Sequence, residues 1–320
     1  DSATSLTVSG VQIDPTAVTP ADIVGAVTAD GVESGMEVIR QIFPKLNMTP
    51  GILLAPGWSE NALVSAGLQA KTSHINGVFN CVCIVDIDSS TAGATKYDDV
   101  KRQKEKQAVT SANCYAVWLY AKVGDVIYAG SAMAAAATVA TDANNGDIPN
   151  VSPDNKPISI SAACLKDGTE VLLDQEQANV VNSFGVATWL NMNGFRLWGN
   201  NTACYPGNTD PKDRWFSVRR FFCWDDNTFI KTYYQKVSDP LNKRLIEALV
   251  DSENVRGNSF VSRGICARYE LQYIESENPT TDLLNGTVKF HKYMSPFNPA
   301  EDIEEIVEFD PNAISTALAG

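Results

Sequence analysis

The sequence predicts an α/β fold followed by an α+β fold. A mixed sheet with flanking helices is expected over residues 1–165, and a helical module with antiparallel strands over residues 170–320. Three observations carry this. Short apolar runs alternate with helical patterns through the first half, which is the rhythm of parallel pairing across helices. A polar stretch, "NNGDIPNVSPDNKP" (Asn144 to Pro157), is the clearest loop and precedes a boundary expected between Ala162 and Asp174. After Gly264 the pattern changes to strict alternation, which suits strands with one solvated face.

The elements follow in order. Met36, Ile39, Ile42 and Phe43 keep helical spacing, and Pro44 is expected to stop that helix. "GILLAP" (Gly51 to Pro56) reads as a short buried strand, and a helix is expected from about Glu60 to Lys71. "VFNCVCIVDID" (Val78 to Asp88) is β-branched and nearly continuous, as in a strand covered on both faces. The charged "YDDVKRQKEKQAV" reads as a helix and "CYAVWLYA" (Cys114 to Ala121) as a third strand.

Beyond the loop, "DQEQANVVNSFGV" reads as a helix with Gly185 just past its end. A long aromatic helix is expected over about Asp213 to Tyr234. In "DPLNKRLIEALVDSENVRG", Asp239 reads as the N-cap, Pro240 as the first helical position and Gly257 as the stop. "GICARYELQYI", "GTVKFHKYM" and "DIEEIVEF" are three strand candidates.

Composition narrows the function. Hydrophobic residues at 44% and charged residues at 20% suit a folded globular chain. A net charge of −13 argues against a nucleic-acid footprint and against an anionic membrane surface. No run reaches the roughly 18 apolar residues of a membrane span. Seven cysteines with no C-x-x-C read as reduced core residues of a chain made in a cytoplasm.

The chemical motifs are few. His74 and His291 stand apart from any metal-ligand spacing. The hydrolase elbow, the Walker A loop and the G-x-G-x-x-G fingerprint are absent from the sequence. Asp86 and Asp88 form D-x-D at the end of a buried strand, where α/β folds place ligand sites. They support an alternative reading as a metal-dependent α/β enzyme. Arg219 and Arg220, set among aromatics in "RWFSVRRFFCWDD", are expected to pair with local carboxylates or carbonyls.

An ordered set of motifs resembles the contractile tail sheath proteins of myophages and phage-tail-like particles. "TPADIVG" (Thr19 to Gly25), "ESGMEVI" with "TPGILLAPGWS", and "VFNCVCIVDID" match the family's order in the first half. "YAGSAMAAAATVATDANNGDIPNVSPDN" is similar to a helix leading to a Ser-Pro-x-Asn loop. "NVVNSFGVATW" with "NGFRLWGNNTA", "FSVRRFF" and "NPAEDIEEIVEFD" complete the set. Asn201 stands where these proteins commonly carry Arg.

The resemblance implies a structural subunit, with no catalytic residue, cofactor or metal. It implies a homopolymer of stacked rings around a tail tube, contacting baseplate and terminator proteins, without nucleic acid or membrane insertion. It implies a virion tail, or a tail-like particle, assembled in the host bacterial cytoplasm. Residues 1–165 would be the peripheral sheath domain, and residues 170–320 the domain with tube-facing helices. An upstream arm that reaches a neighbouring subunit is expected to be missing. Residues 1–320 alone are therefore expected to be soluble without forming long sheaths.

One segment has no chemical reading. "NPAEDIEEIVEFD" (Asn298 to Asp310) holds six carboxylates between Pro299 and Pro311. Ile303, Glu305, Val307 and Phe309 alternate with Asp302, Glu304, Ile306 and Glu308, which is strand periodicity. These residues are expected to form an assembly strand that pairs with "GTVKFHKYM", with a neighbouring subunit, or with both. Lys289 and Lys292 are its expected charge partners.

Overall fold

The computed structural model describes residues 14–319. Thr19 caps α1 (Pro20–Val24) in a reciprocal box with Asp22. The expected 36–43 helix is a 3₁₀ stretch, Gly35–Gln41, running into α2 (Ile42–Leu46). Pro44 lies inside α2 rather than ending it. In the first helical turn its missing N–H has no intrahelical partner to lose. Asn47, left-handed at φ 54°, ends the helix instead.

β1 (Ile52–Leu54), α3 (Ala62–Ala70), β2 (Val82–Ile87), α4 (Val100–Lys106) and β3 (Cys114–Trp118) follow the expected rhythm. β1, β2 and β3 pair in parallel. Every residue of β2 and β3 is buried, as their continuous apolar sequences require. A small antiparallel sheet comes next, built from β4 (Tyr120–Val123), β5 (Val126–Tyr128) and β6 (Ala162–Cys164). α5 (Gly130–Asn144) lies between β5 and β6 in sequence and packs on β2 and β3.

The expected boundary at 165–170 does not divide the core. After α6 (Gln175–Ser183), β7 (Val186–Asn191) pairs parallel to β3, and β8 (Phe195–Trp198) pairs antiparallel to β7. The order β1-β2-β3-β7-β8 is one mixed sheet. Leaving β7 in another module would strip β3 of a ladder and expose Trp118 and Trp189, both almost fully buried. α7 (Pro211–Arg214) leads into α8 (Phe216–Tyr233). Phe216 of α8 stacks on Tyr115 of β3, with ring centroids 4.1 Å apart.

The change of style falls after α8. α9 (Lys243–Ser262), β9 (Cys266–Gln272), α10 (Thr280–Leu284) and β10 (His291–Pro296) form a smaller unit with its own cluster. That cluster comprises Ile148, Phe221, Phe260, Ile265, Cys266 and Tyr269. Phe216 and Cys223 face the main core while Phe221 faces the second, so α8 is shared by both. α11 (Pro311–Leu318) is the last described helix.

Candidate assembly surface

The smaller unit is held to the body by buried ionic groups. Asp225 of α8 and Glu253 of α9 are almost wholly buried. Arg256 Nη2 lies 2.6 Å from both Asp225 Oδ1 and Glu253 Oε1. Lys292 Nζ of β10 lies 2.7 Å from Asp225 and 3.0 Å from Glu253. Tyr269 Oη of β9 donates within reach of Asp225, at 2.7 Å, and Glu253, at 2.5 Å. Two carboxylates thus meet two cations, the condition under which charge is tolerated inside a protein. Burial pushes the Glu253 carboxyl up, but Arg256, Tyr269 and Lys292 outweigh it and hold the group below its ordinary value.

Gly257 makes this arrangement possible. It sits within α9 and does not stop it. A Cβ there would lie 2.1 Å from Tyr269 Cδ1. The absent side chain lets the Tyr269 ring lie against the helix, so α9 continues through to Ser262. Its start is also later than expected. Asn242 caps it by accepting from Leu245 N, and Asp239 and Pro240 precede the helix.

The two edges of the β9–β10 pair differ. β10 pairs with one edge of β9, with Lys292 opposite Leu271 and Met294 opposite Tyr269. On the other edge, Asn254 of α9 accepts from Leu271 N at 2.7 Å and donates to Leu271 O at 3.0 Å. That side-chain amide acts as a substitute strand partner. The outer edge of β10 has no strand partner among the described residues.

The segment expected to be an assembly strand leaves the body here. Glu301 is anchored by Arg214 at 2.7 Å and by Asn182 at 3.3 Å. Arg214 lies over the rings of Tyr205 and Trp215, and its Nε donates to Asn201 at 2.8 Å. Asn201 therefore positions an arginine instead of replacing one. Sequence reading missed this anchor, because Asn201 and Arg214 stand 13 residues apart and meet only through the bridge between Asn201 and Trp215. Beyond Glu301 the chain has no regular structure up to Asp310. Ile303, Val307 and Phe309 are 87%, 81% and 78% exposed, and Glu305 is also exposed.

The expected pairing of this segment with "GTVKFHKYM" is not present within the chain: β10 pairs with β9 on one edge, and residues 301–310 form no strand on its other edge. Its expected charge partners are also engaged elsewhere. Lys289 meets Asp282 at 2.7 Å, and Lys292 is inside the buried network. Ion pairs drew both lysines to the nearest buried or local carboxylates, ahead of an exposed segment where pairs contribute little.

Asp86 and Asp88 are spent on structure. Asp86 is buried at the end of β2 and accepts from Ser131 N and Ser131 Oγ, each at 2.6 Å, and from Ser59 Oγ at 2.8 Å. It thereby satisfies the first turn of α5. Burial raises its carboxyl, against those hydrogen bonds. Asp88 accepts from Ser90 N within a turn. Among the described residues no three His, Cys, Asp or Glu side chains converge as metal ligands. His291 pairs with Glu277 at 2.5 Å, and His74 sits at a left-handed turn position. Burial pushes the Cys223 thiol up to about 11 and the Cys266 thiol up to about 12, which keeps both from acting as nucleophiles. Arg219 and Arg220 pair as expected, with Asp213 at 3.2 Å and with Asp142.

No protein-family profile matches the chain. It is 25% identical over 321 residues to the tail sheath protein of Burkholderia phage BcepMu, covering 96% of this chain and 65% of that protein. It is 24% identical over 299 residues to the major tail sheath protein of Serratia phage KSP20, covering 93% of this chain and 73% of that one. The chain thus spans about two thirds to three quarters of these relatives. Among solved structures, the sheath complex of an extracellular contractile injection system (PVC) in its contracted state superposes with a TM-score of 0.69. The identity is 17%, covering 88% of this chain and 76% of that one. These likenesses do not support the enzyme alternative on Asp86 and Asp88. The chain is thus similar in sequence to phage tail sheath proteins over nearly all of its length and has the fold of a contractile injection system sheath.

Proposed function

We propose that this chain is a structural subunit of a contractile sheath. Copies polymerise as stacked rings around a tail tube and repack to drive the tube through a cell envelope. The reading rests chiefly on the similarity to a tail sheath protein across 96% of the chain. The body, with its shared α8, moves as one piece. Continuity between copies comes from extended segments, in which Ile303, Glu305, Val307 and Phe309 form a linking strand. Backbone pairing suits a joint that must survive rotation of the bodies, since it fixes the ladder and not the orientation of the domains. The β-sheet body is peripheral, and the smaller unit with α8 and α9 faces the tube. Baseplate and terminator proteins would contact the end rings, and assembly would occur in the bacterial cytoplasm.

The test is co-expression of the protein with its genomic neighbours, followed by electron microscopy. Hollow cylinders with a helical repeat, found extended around a tube and shortened without it, are expected. A monodisperse particle that never polymerises in the presence of tube protein would overturn the reading.

A further inference from the structure

An apolar groove lies between α9 and α10. Its volume is about 990 Å³, and Leu241, Ile246, Val250, Leu271, Leu283 and Leu284 supply its apolar lining. Leu284 is 82% exposed. The rim carries Glu247, Asp251, Glu270 and Glu275 against Lys243. Nothing in the described chain fills it.

The same chain also has a helix without a place to pack. Asp310 caps α11 by accepting from Asn312 N and Ala313 N. Its sequence, "PNAISTAL", holds no charge, and Ile314 and Leu318 are one turn apart on one face. No residue of α11 is buried. Eight residues fall below the roughly 12–15 that a lone helix needs in water, so α11 requires a docking surface.

We propose that α11 of one copy seats in the α9–α10 groove of a neighbouring copy, with Ile314 and Leu318 against Leu283, Leu284 and Ile246. The proposal rests on the linking-strand reading above and adds a direction to it. If residues 302–309 pair antiparallel to the open edge of a neighbour's β10, they run towards its His291 end. Gln272 and the α10 segment lie at that end. The strand then stands two strand spacings, about 10 Å, from β9. α11 starts at the next residue but one and is about 12 Å long, enough to reach back across to β9, whose Leu271 lines the groove. Parallel pairing would deliver α11 to the Pro296 end, away from the groove. Charge selects the same occupant. The acidic rim repels the six carboxylates of residues 301–310 and accepts the uncharged helix that follows them.

The experiment mixes two differently tagged full chains, Ile314→Cys and Leu284→Cys, under assembly conditions and then oxidises the pelleted particles. A cross-link joining the two tags, absent when either variant is alone, is expected. A cross-link formed only within a single copy of the double variant would overturn the proposal. So would no cross-link in particles that still form. Val307→Pro, assayed in parallel, separates this from the strand reading. If it abolishes assembly while the cross-link fails to form in cysteine-bearing particles that keep Val307, the strand link stands and the helix seat falls. If it assembles normally and the cross-link forms, the helix seat stands alone. Leu318→Asp and Leu284→Asp alter exposed positions and should leave the melting temperature unchanged. Each should raise the concentration needed for assembly about tenfold; unchanged assembly in both would overturn the seat.

Discussion

Asp86 is the residue whose role decides between an enzyme and a structural element. Its two oxygens take three hydrogens, from Ser131 N, Ser131 Oγ and Ser59 Oγ. Asn can keep the bond from Ser131 N and donate to the two hydroxyls, which can turn to accept. Asp86→Asn should therefore change stability by under about 1 kcal/mol, whereas Asp86→Ala should cost about 2–3 kcal/mol by orphaning buried donors. Denaturant unfolding measures both; a neutral Ala variant would sink the capping role. The sign of the pH effect follows from the raised carboxyl. In the folded state Asp86 takes up its proton above the ordinary value of 3.8. Between that value and the raised one, the folded state binds more protons than the unfolded, so this group's contribution falls as pH rises. Asp86→Asn should remove that slope. Gly257 gives a second residue-scale outcome. Ala favours a helix interior by about 1 kcal/mol over Gly. Here its Cβ would stand 2.1 Å from a buried ring that cannot swing aside without breaking Tyr269's bonds to Asp225 and Glu253. Gly257→Ala should thus destabilise by about 1–3 kcal/mol, seen as a lower melting temperature.

At the scale of elements, the joint between the smaller unit and the body is ionic where the body's own core is apolar. Lys292→Met leaves Arg256 facing two buried carboxylates, and breaking a buried pair typically costs about 3–5 kcal/mol. Hydrogen exchange in β9 and β10 should accelerate, with β2 and β3 unchanged, and Lys292→Arg should restore part of the protection. Uniform exchange across both units would refute a separate joint. Acid should act in the same order. Glu253 is held below its ordinary 4.5, so its contribution is complete above that value and is lost as pH falls through the lowered one. Asp86 in the body shifts the other way. The joint should therefore open before the main sheet as pH drops. Much of this architecture was legible in the sequence, for physical reasons. β2 and β3 are buried on both faces, so their apolar runs were unbroken, and α8 carried its aromatics at helical spacing. β7 was not placed, because "VATWLN" reads the same beside β3 as in a second sheet, and only the fold brings them together. Gly257 looked like a stop because its reason, the Tyr269 ring, lies 12 residues away. The exposed segment at Ile303–Phe309 showed strand alternation, but it forms no strand within the described chain, and α11 was too short to register.

For the whole molecule, the geometry separates a packed body from an exposed segment without regular structure. Residues 302–309 expose four large apolar side chains, Ile303, Ile306, Val307 and Phe309, while touching little of their own chain. A monomer gains nothing from that exposure, whereas under the proposed linking-strand reading a polymer would, because each copy would then cover the next copy's strand edge. The carboxylates interleaved with these side chains limit pairing of like with like, since facing charges on adjacent strands repel. They also make assembly electrostatically costly between bodies of net charge −13. Raising ionic strength towards 0.1 M shortens the screening length to about 10 Å, so light scattering should show assembly rising with salt. Val307→Pro isolates the strand itself. Proline removes one N–H from the ladder and fixes φ near −65°. Val307 is 81% exposed, so the monomer should melt at the same temperature as the unmodified protein. Its copies should remain as rings or monomers in electron microscopy, while Val307→Thr, which keeps both the N–H and the β-branch, should still form cylinders. Cylinders of normal length from Val307→Pro would mean that continuity between copies runs through some other segment, and that the alternation of Ile303, Glu305, Val307 and Phe309 serves another contact.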